Sequence, residues 1–148
     1  MVYRMTGILV LWIFMSGCSG EPTRHLGASG GRLHPCPGKP NCVSTQDPDA
    51  KRAMAPLSFA GTKQETRDRI LGIVRGMKRS EIVEASDDYI HACFRSRVFG
   101  FVDDVEFLLD EDARLVHFRS ASQVGTYDFG VNRRRMQGIS ERYNEVAQ

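Results

Sequence analysis

After its first twenty residues the chain has no apolar run long enough to cross a bilayer. It also lacks an excess of one charge. The formal balance is +2 over 148 residues, too near neutral to point to a nucleic-acid partner. There is no Cys-x-x-Cys pair, which removes the usual redox dithiol, and no second Cys/His pair at zinc-knuckle spacing. No internal repeat is visible and no nucleophile–base set stands out, so neither a solenoid nor a familiar hydrolase is indicated. The length suits one domain and is too short for two well-packed ones.

What is present begins with a leader. "MVYRMTGILVLWIFMSGC" carries one positive charge at Arg4, an apolar run from Ile8 to Met15, then small residues and Cys18. That order reads as a signal peptide over residues 1–17, with cleavage before a cysteine that carries an acyl (palmitate) lipid. The alternative for Cys18 is ordinary signal cleavage nearby. Residues 18–32 are rich in Gly and Ser and poor in large apolar groups, so they read as a lipid-anchored flexible stalk. Residues 33–148 are left as a single folded domain. The expected location is the bacterial cell envelope, exported and held at the membrane by the lipid.

Thr62 to Lys78 has the pattern of an amphipathic helix. Thr62 and Glu65 form a capping-box pair, and Ile70, Leu71, Ile73, Val74 and Met77 fall on one side. Four strand-like runs follow, Glu81–Ala85, Tyr89–Arg95, Phe101–Leu109 and Arg114–Ser120, and a last helix runs from about Phe129 to Val146. The predicted fold class is α+β: an antiparallel sheet of about four strands with helices packed on one face.

Strand alternation places Ile90, Phe94, Phe107 and Phe118 on the helix side. It places His91, Cys93, Asp104, Glu106, His117 and Arg119 on the other, read as a solvated face on which Cys93 is an inert, half-buried thiol. Two symmetric turns would set Cys93 opposite Asp104, Glu106 opposite His117 and Asp104 opposite Arg119. They also give a row His91–Glu106–His117 across three strands. Asp103 points to the core side, which calls either for a place near the sheet's end or for an arginine partner from Arg97 or the last helix.

Cys36 and Cys42 bracket the turn-forming "PGKP". In an oxidising compartment they read as a disulfide; a metal site with His34 or a redox pair are the alternatives. Three stretches, "CPGKPNCVS", "FRSRVFGFVDDVEF" and "RSASQVGTYDFGVNRRR", together resemble the domain-of-unknown-function 1499 family over roughly Leu33 to Gln148. Gln123 departs from the Arg more usual there. The resemblance implies a bacterial envelope or organelle protein and supplies no catalytic or binding residues.

Function must therefore come from sites. The arginine-rich stretch Arg119 to Arg135 combines hydroxyls, a Gly-containing loop and a helix start. It suggests a binding module for a small anion or an acidic partner group, held by Arg119, Ser120, Ser122, Asn132 and Arg133. Against this, Asp128 would cap the helix while the arginines pair internally. The other readings are a metal-assisted or hydrolytic enzyme using His91, Glu106 and His117, and a structural factor docking another envelope protein. No cofactor is expected.

Overall fold

The computed structural model describes residues 25–145, so the expected signal peptide, Cys18 and the start of the stalk lie outside the described residues. Chain order is β1 (Ala28–Ser29), β2 (Arg32–Leu33), β3 (Cys42–Ser44), β4 (Leu57–Ser58) and α1 (Lys63–Arg75). Then come β5 (Ser80–Ala85), β6 (Tyr89–Arg95), β7 (Val102–Asp110), β8 (Leu115–Ser122) and α2 (Val131–Glu145). β1 and β2 make a separate two-stranded sheet; the main sheet has six strands in the order β3-β8-β7-β6-β5, with β4 also pairing β8. Every pairing between these strands is antiparallel.

This corrects the predicted α+β class with about four strands. The molecule is mostly β, with six strands in one sheet, two in another and only two helices among the described residues. The missed strands are two or three residues long, too short to show an alternation of apolar and polar side chains.

Each helix has a local cause. Thr62 caps α1: its hydroxyl accepts from the Glu65 amide at 3.2 Å, and the Glu65 carboxylate accepts from the Thr62 amide at 2.7 Å. The Asp128 carboxylate accepts from the Gly130 and Asn132 amides and so starts α2. Ile70, Leu71 and Val74 of α1 and Met136, Ile139 and Tyr143 of α2 join Ile90, Phe94, Val105, Phe107, Val116 and Phe118 in one buried cluster. Complete burial of such a side chain contributes about 1.5–3 kcal/mol.

The opposite face of the sheet is also buried, contrary to the solvated face expected from the sequence. His91, Cys93, Asp104, Glu106 and Arg119 all lie below a tenth exposed. Residues 27–33, within or beside the stretch read as stalk, cover part of this face. The Gly27 amide donates to Glu106, and Leu33 packs with Tyr89 and Leu108. The Cys36–Cys42 disulfide holds the next loop against β3, whose Cys42 pairs with Ala121 of β8.

Candidate functional site

The register decides which polar side chains meet. On β6 and β7, Cys93 pairs with Asp104 and His91 with Glu106, as the turn symmetry predicts. On β7 and β8, Glu106 pairs with Arg119, Leu108 with His117 and Asp104 with Ala121. The second hairpin loop is thus one residue further along each strand than expected. Arg114, at φ 53°, belongs to the turn rather than to β8. A slip of two in pairing keeps every side chain on its face but changes its neighbour. His117 therefore leaves the expected His91–Glu106–His117 row, and its Nδ1 meets the Thr45 hydroxyl at 3.2 Å. Arg119 takes its place beside Glu106.

The Glu106 carboxylate is fully buried. It accepts from Arg119 Nη1 at 2.6 Å, from the Tyr89 hydroxyl at 2.8 Å and from the Gly27 amide at 2.7 Å. Burial, with the Glu106 carboxylate next in weight, pushes the Tyr89 phenol far above its ordinary value, so it stays a neutral donor. One row along, Asp104 Oδ1 meets His91 Nε2 at 2.8 Å, Gln123 Nε2 at 3.1 Å and Cys93 Sγ at 3.6 Å.

On the helix side, Asn132 is a hub. Its carbonyl oxygen accepts from the Ser120 hydroxyl and Arg135 Nη1, and its amide donates to Asn41 O, Ser122 Oγ and Asp128 Oδ2. Arg135 also reaches Asp103 at 2.5 Å, so the partner sought for Asp103 comes from the last helix. Arg133 donates to the backbone carbonyls of Lys51 and Ala53. The residues expected to hold an anion are thus engaged within the fold. Arg119 pairs with Glu106, Ser120 and Ser122 bond to Asn132, and Arg133 ties α2 to the loop after β3.

The largest apolar recess lies elsewhere, and sequence reasoning missed it. The loop between β6 and β7 (Ser96–Phe101) and the loop between β8 and α2 (Gln123–Gly130) face each other across a groove of about 580 Å³. Val98, Phe99, Phe101, Val124, Tyr127, Phe129 and Val131 line it, and all seven are exposed. Among the described residues only one other large hydrophobic side chain, Val83, is exposed, so the apolar surface is concentrated here. Phe129 is 87% exposed and sits at φ 53°, a left-handed backbone that a bulky side chain adopts at a cost of roughly 1–3 kcal/mol. The available signal was aromatic residues beside loop glycines, Phe99-Gly100-Phe101 and Phe129-Gly130.

Three charged side chains line the groove, Arg97, Asp103 and Asp128. Its two carboxylates are already engaged, Asp103 by Arg135 and Asp128 by the amides that begin α2. Arg97, on the lip, is exposed. Arg97 is thus an exposed cation at the mouth, while Asp128, bonded to neutral amides, keeps its negative charge.

A family model described as "Protein of unknown function (DUF1499)" matches residues 32–142. The chain belongs to this family. No curated protein and no solved structure matches it. Membership of DUF1499 assigns no reaction and no ligand, so the groove, the buried polar face and the disulfide are the physical basis for a functional reading. No helix among the described residues is long and apolar enough to cross a membrane.

Proposed function

We propose that this DUF1499 chain is a binding module for a single-chain amphiphile, an acyl chain with an anionic head group. The acyl body lies between Phe99 and Phe129 and the head group meets Arg97. The observation that carries this reading is the concentration of exposed apolar side chains in one groove. The groove's size is that of small-molecule sites, and exposed apolar patches of this kind mark surfaces that await a partner. The strained exposure of Phe129 supports the same reading, because a fold does not hold an aromatic ring in solvent at a conformational cost for packing reasons. The exposed Arg97 guanidinium offers forked donors to an anionic head group.

This keeps an anionic ligand but moves it from the Arg119–Arg133 cluster to the groove. Export and a lipid on Cys18, read from the first eighteen residues, would hold the groove near a membrane, where such amphiphiles are made and exchanged.

The test is fluorescence titration of the full chain in mild detergent with cis-parinaric acid, a fluorescent fatty acid. One saturable site per chain is expected. Phe99→Ser with Phe129→Ser should weaken it at least tenfold without changing the melting temperature, and Arg97→Ala should weaken it less. Inorganic phosphate should not compete. Absence of saturable binding, or binding indifferent to the double substitution, refutes the proposal.

A further inference from the structure

The buried face of the sheet holds a second feature, independent of the groove. His91 and Cys93 are two apart on β6, so their side chains share a face, and Asp104 of β7 lies directly opposite Cys93. Their donor atoms converge. His91 Nε2 and Asp104 Oδ1 are 2.8 Å apart, Cys93 Sγ and Asp104 Oδ1 3.6 Å, and Cys93 Sγ and His91 Nε2 3.9 Å. One imidazole nitrogen, one sulfur and one carboxylate oxygen therefore form a small triangle on two adjacent strands, with all three residues buried.

Tetrahedral bonds of about 2.0 Å to nitrogen and oxygen and about 2.3 Å to sulfur place such ligand atoms about 3.3–3.6 Å apart. The triangle here departs from those edges by about half an ångström at most. Rotation of the side chains covers that difference without moving a strand.

What lies beside Asp104 matters as much. A recess of about 90 Å³ is lined by Asp104, Asn41, Arg119 and Gln123. Both Asn41 and Arg119 are no more than 3% exposed, and among the described residues Asn41 Oδ1 and Arg119 Nε are buried with no hydrogen-bond partner. Unpartnered polar atoms in a buried recess point to a missing polar ligand, because leaving them unsatisfied costs free energy. A metal-bound water is such a ligand: it donates to an amide oxygen and accepts from a guanidinium.

We propose that His91, Cys93 and Asp104 form a three-ligand site for a divalent zinc ion, with the fourth position opening to the recess bounded by Asn41 and Arg119. The charges close: one divalent cation, one thiolate and one carboxylate sum to zero, as a buried site requires. Softness selects zinc over magnesium or calcium, since a thiolate and an imidazole are poor partners for those hard cations. Three protein ligands with an open fourth position is the pattern of zinc that takes a water or substrate, rather than of a closed structural site.

The experiment uses the full chain in mild detergent, treated with chelator and titrated with Co²⁺ as the coloured surrogate for Zn²⁺. One equivalent should give a tetrahedral visible spectrum and a thiolate-to-cobalt charge-transfer band in the near ultraviolet, both abolished by one equivalent of Zn²⁺. Cys93→Ser should remove the charge-transfer band, and Asp104→Asn should weaken binding by at least about a hundredfold, beyond the usual effect of losing a supporting hydrogen bond. Cys18→Ser should keep the band, since Cys36 and Cys42 are joined as a disulfide and Cys18 is the one other cysteine of the chain. The proposal is overturned if the unaltered chain gives no charge-transfer band, whether or not the variants fold. It is equally overturned if the band survives Cys93→Ser or is lost in Cys18→Ser.

Discussion

Replacing Arg119 by Met tests the role of the buried ion pair against the surface role that its arginine-rich context suggests. The Arg119 and Glu106 side chains are 3% and 0% exposed, and Nη1 stands 2.6 Å from Oε2. Met fills most of the arginine's volume, so the loss is mainly the counter-charge rather than packing. Glu106 would keep two neutral donors, the Tyr89 hydroxyl and the Gly27 amide, and lose its cationic partner. Stranding one member of a buried pair costs about 3–5 kcal/mol, whereas deleting an exposed pair costs about 0–1 kcal/mol. For a domain of this size each kcal/mol moves the melting temperature by about 3–5 °C, so the expected fall is about 10–20 °C.

Urea unfolding followed by circular dichroism measures the same quantity at constant temperature. The double variant Arg119→Met with Glu106→Gln removes both charges but leaves an acceptor for Tyr89 and Gly27. It should recover at least half of the loss. A cost below about 1 kcal/mol for Arg119→Met would refute the buried-pair argument. So would a double variant no more stable than the single one.

Three further outcomes follow from the same physical terms. Asn132→Ala breaks the five side-chain bonds that join β8, α2 and the loop before β3, and should destabilise by about 3 kcal/mol in urea melts. Cys36→Ser with Cys42→Ser should cost about 2 kcal/mol, the chain-entropy value for so short a loop, and adding reductant to the unaltered protein should cost the same. Burial holds the His117 imidazole below its ordinary value against the opposing pull of Asp110. Below about pH 6.5 the unfolded chain therefore binds a proton that the folded chain resists, and stability falls as pH drops. His117→Gln should shrink the gap in melting temperature between pH 7 and pH 5; an unchanged gap refutes the assignment.

Much of the polar geometry was legible because side-chain alternation survives errors of register. Alternation puts Asp103 on the helix face and His91, Cys93, Asp104, Glu106 and Arg119 on the other, and a two-residue slip at the β7–β8 turn could not exchange those sets. It could and did exchange partners, because turn length is fixed by backbone conformation at one residue. Arg114 adopts a left-handed backbone that its identity does not announce. The strand count failed for a different reason. Pairs such as Leu57–Ser58 and triplets such as Cys42–Ser44 become strands only because β8 offers them an edge, a tertiary cause with no local period.

The same blindness to tertiary covering explains why the chemistry of the second face was undervalued. Read as solvated, His91, Cys93, Asp104, Glu106 and Arg119 amount to a lattice of weak cross-strand ion pairs. Once residues 27–33 and the disulfide loop lie over them, each charge must find a partner at close range. Glu106 does so with Arg119, a residue that also lines the recess. Asp104 does so with an imidazole and a thiol, the combination best suited to giving up protons to a metal. The covering segment is thus what turns an ordinary polar sheet face into a place where binding chemistry is worth testing. Its most direct probe is deletion of residues 25–33. If that loop sets the low-dielectric surroundings of the cluster, the deletion should cut Co²⁺ affinity at His91, Cys93 and Asp104 while α1 and α2 keep their helical signal. If affinity is unchanged, the cluster does not depend on its cover and the burial argument fails.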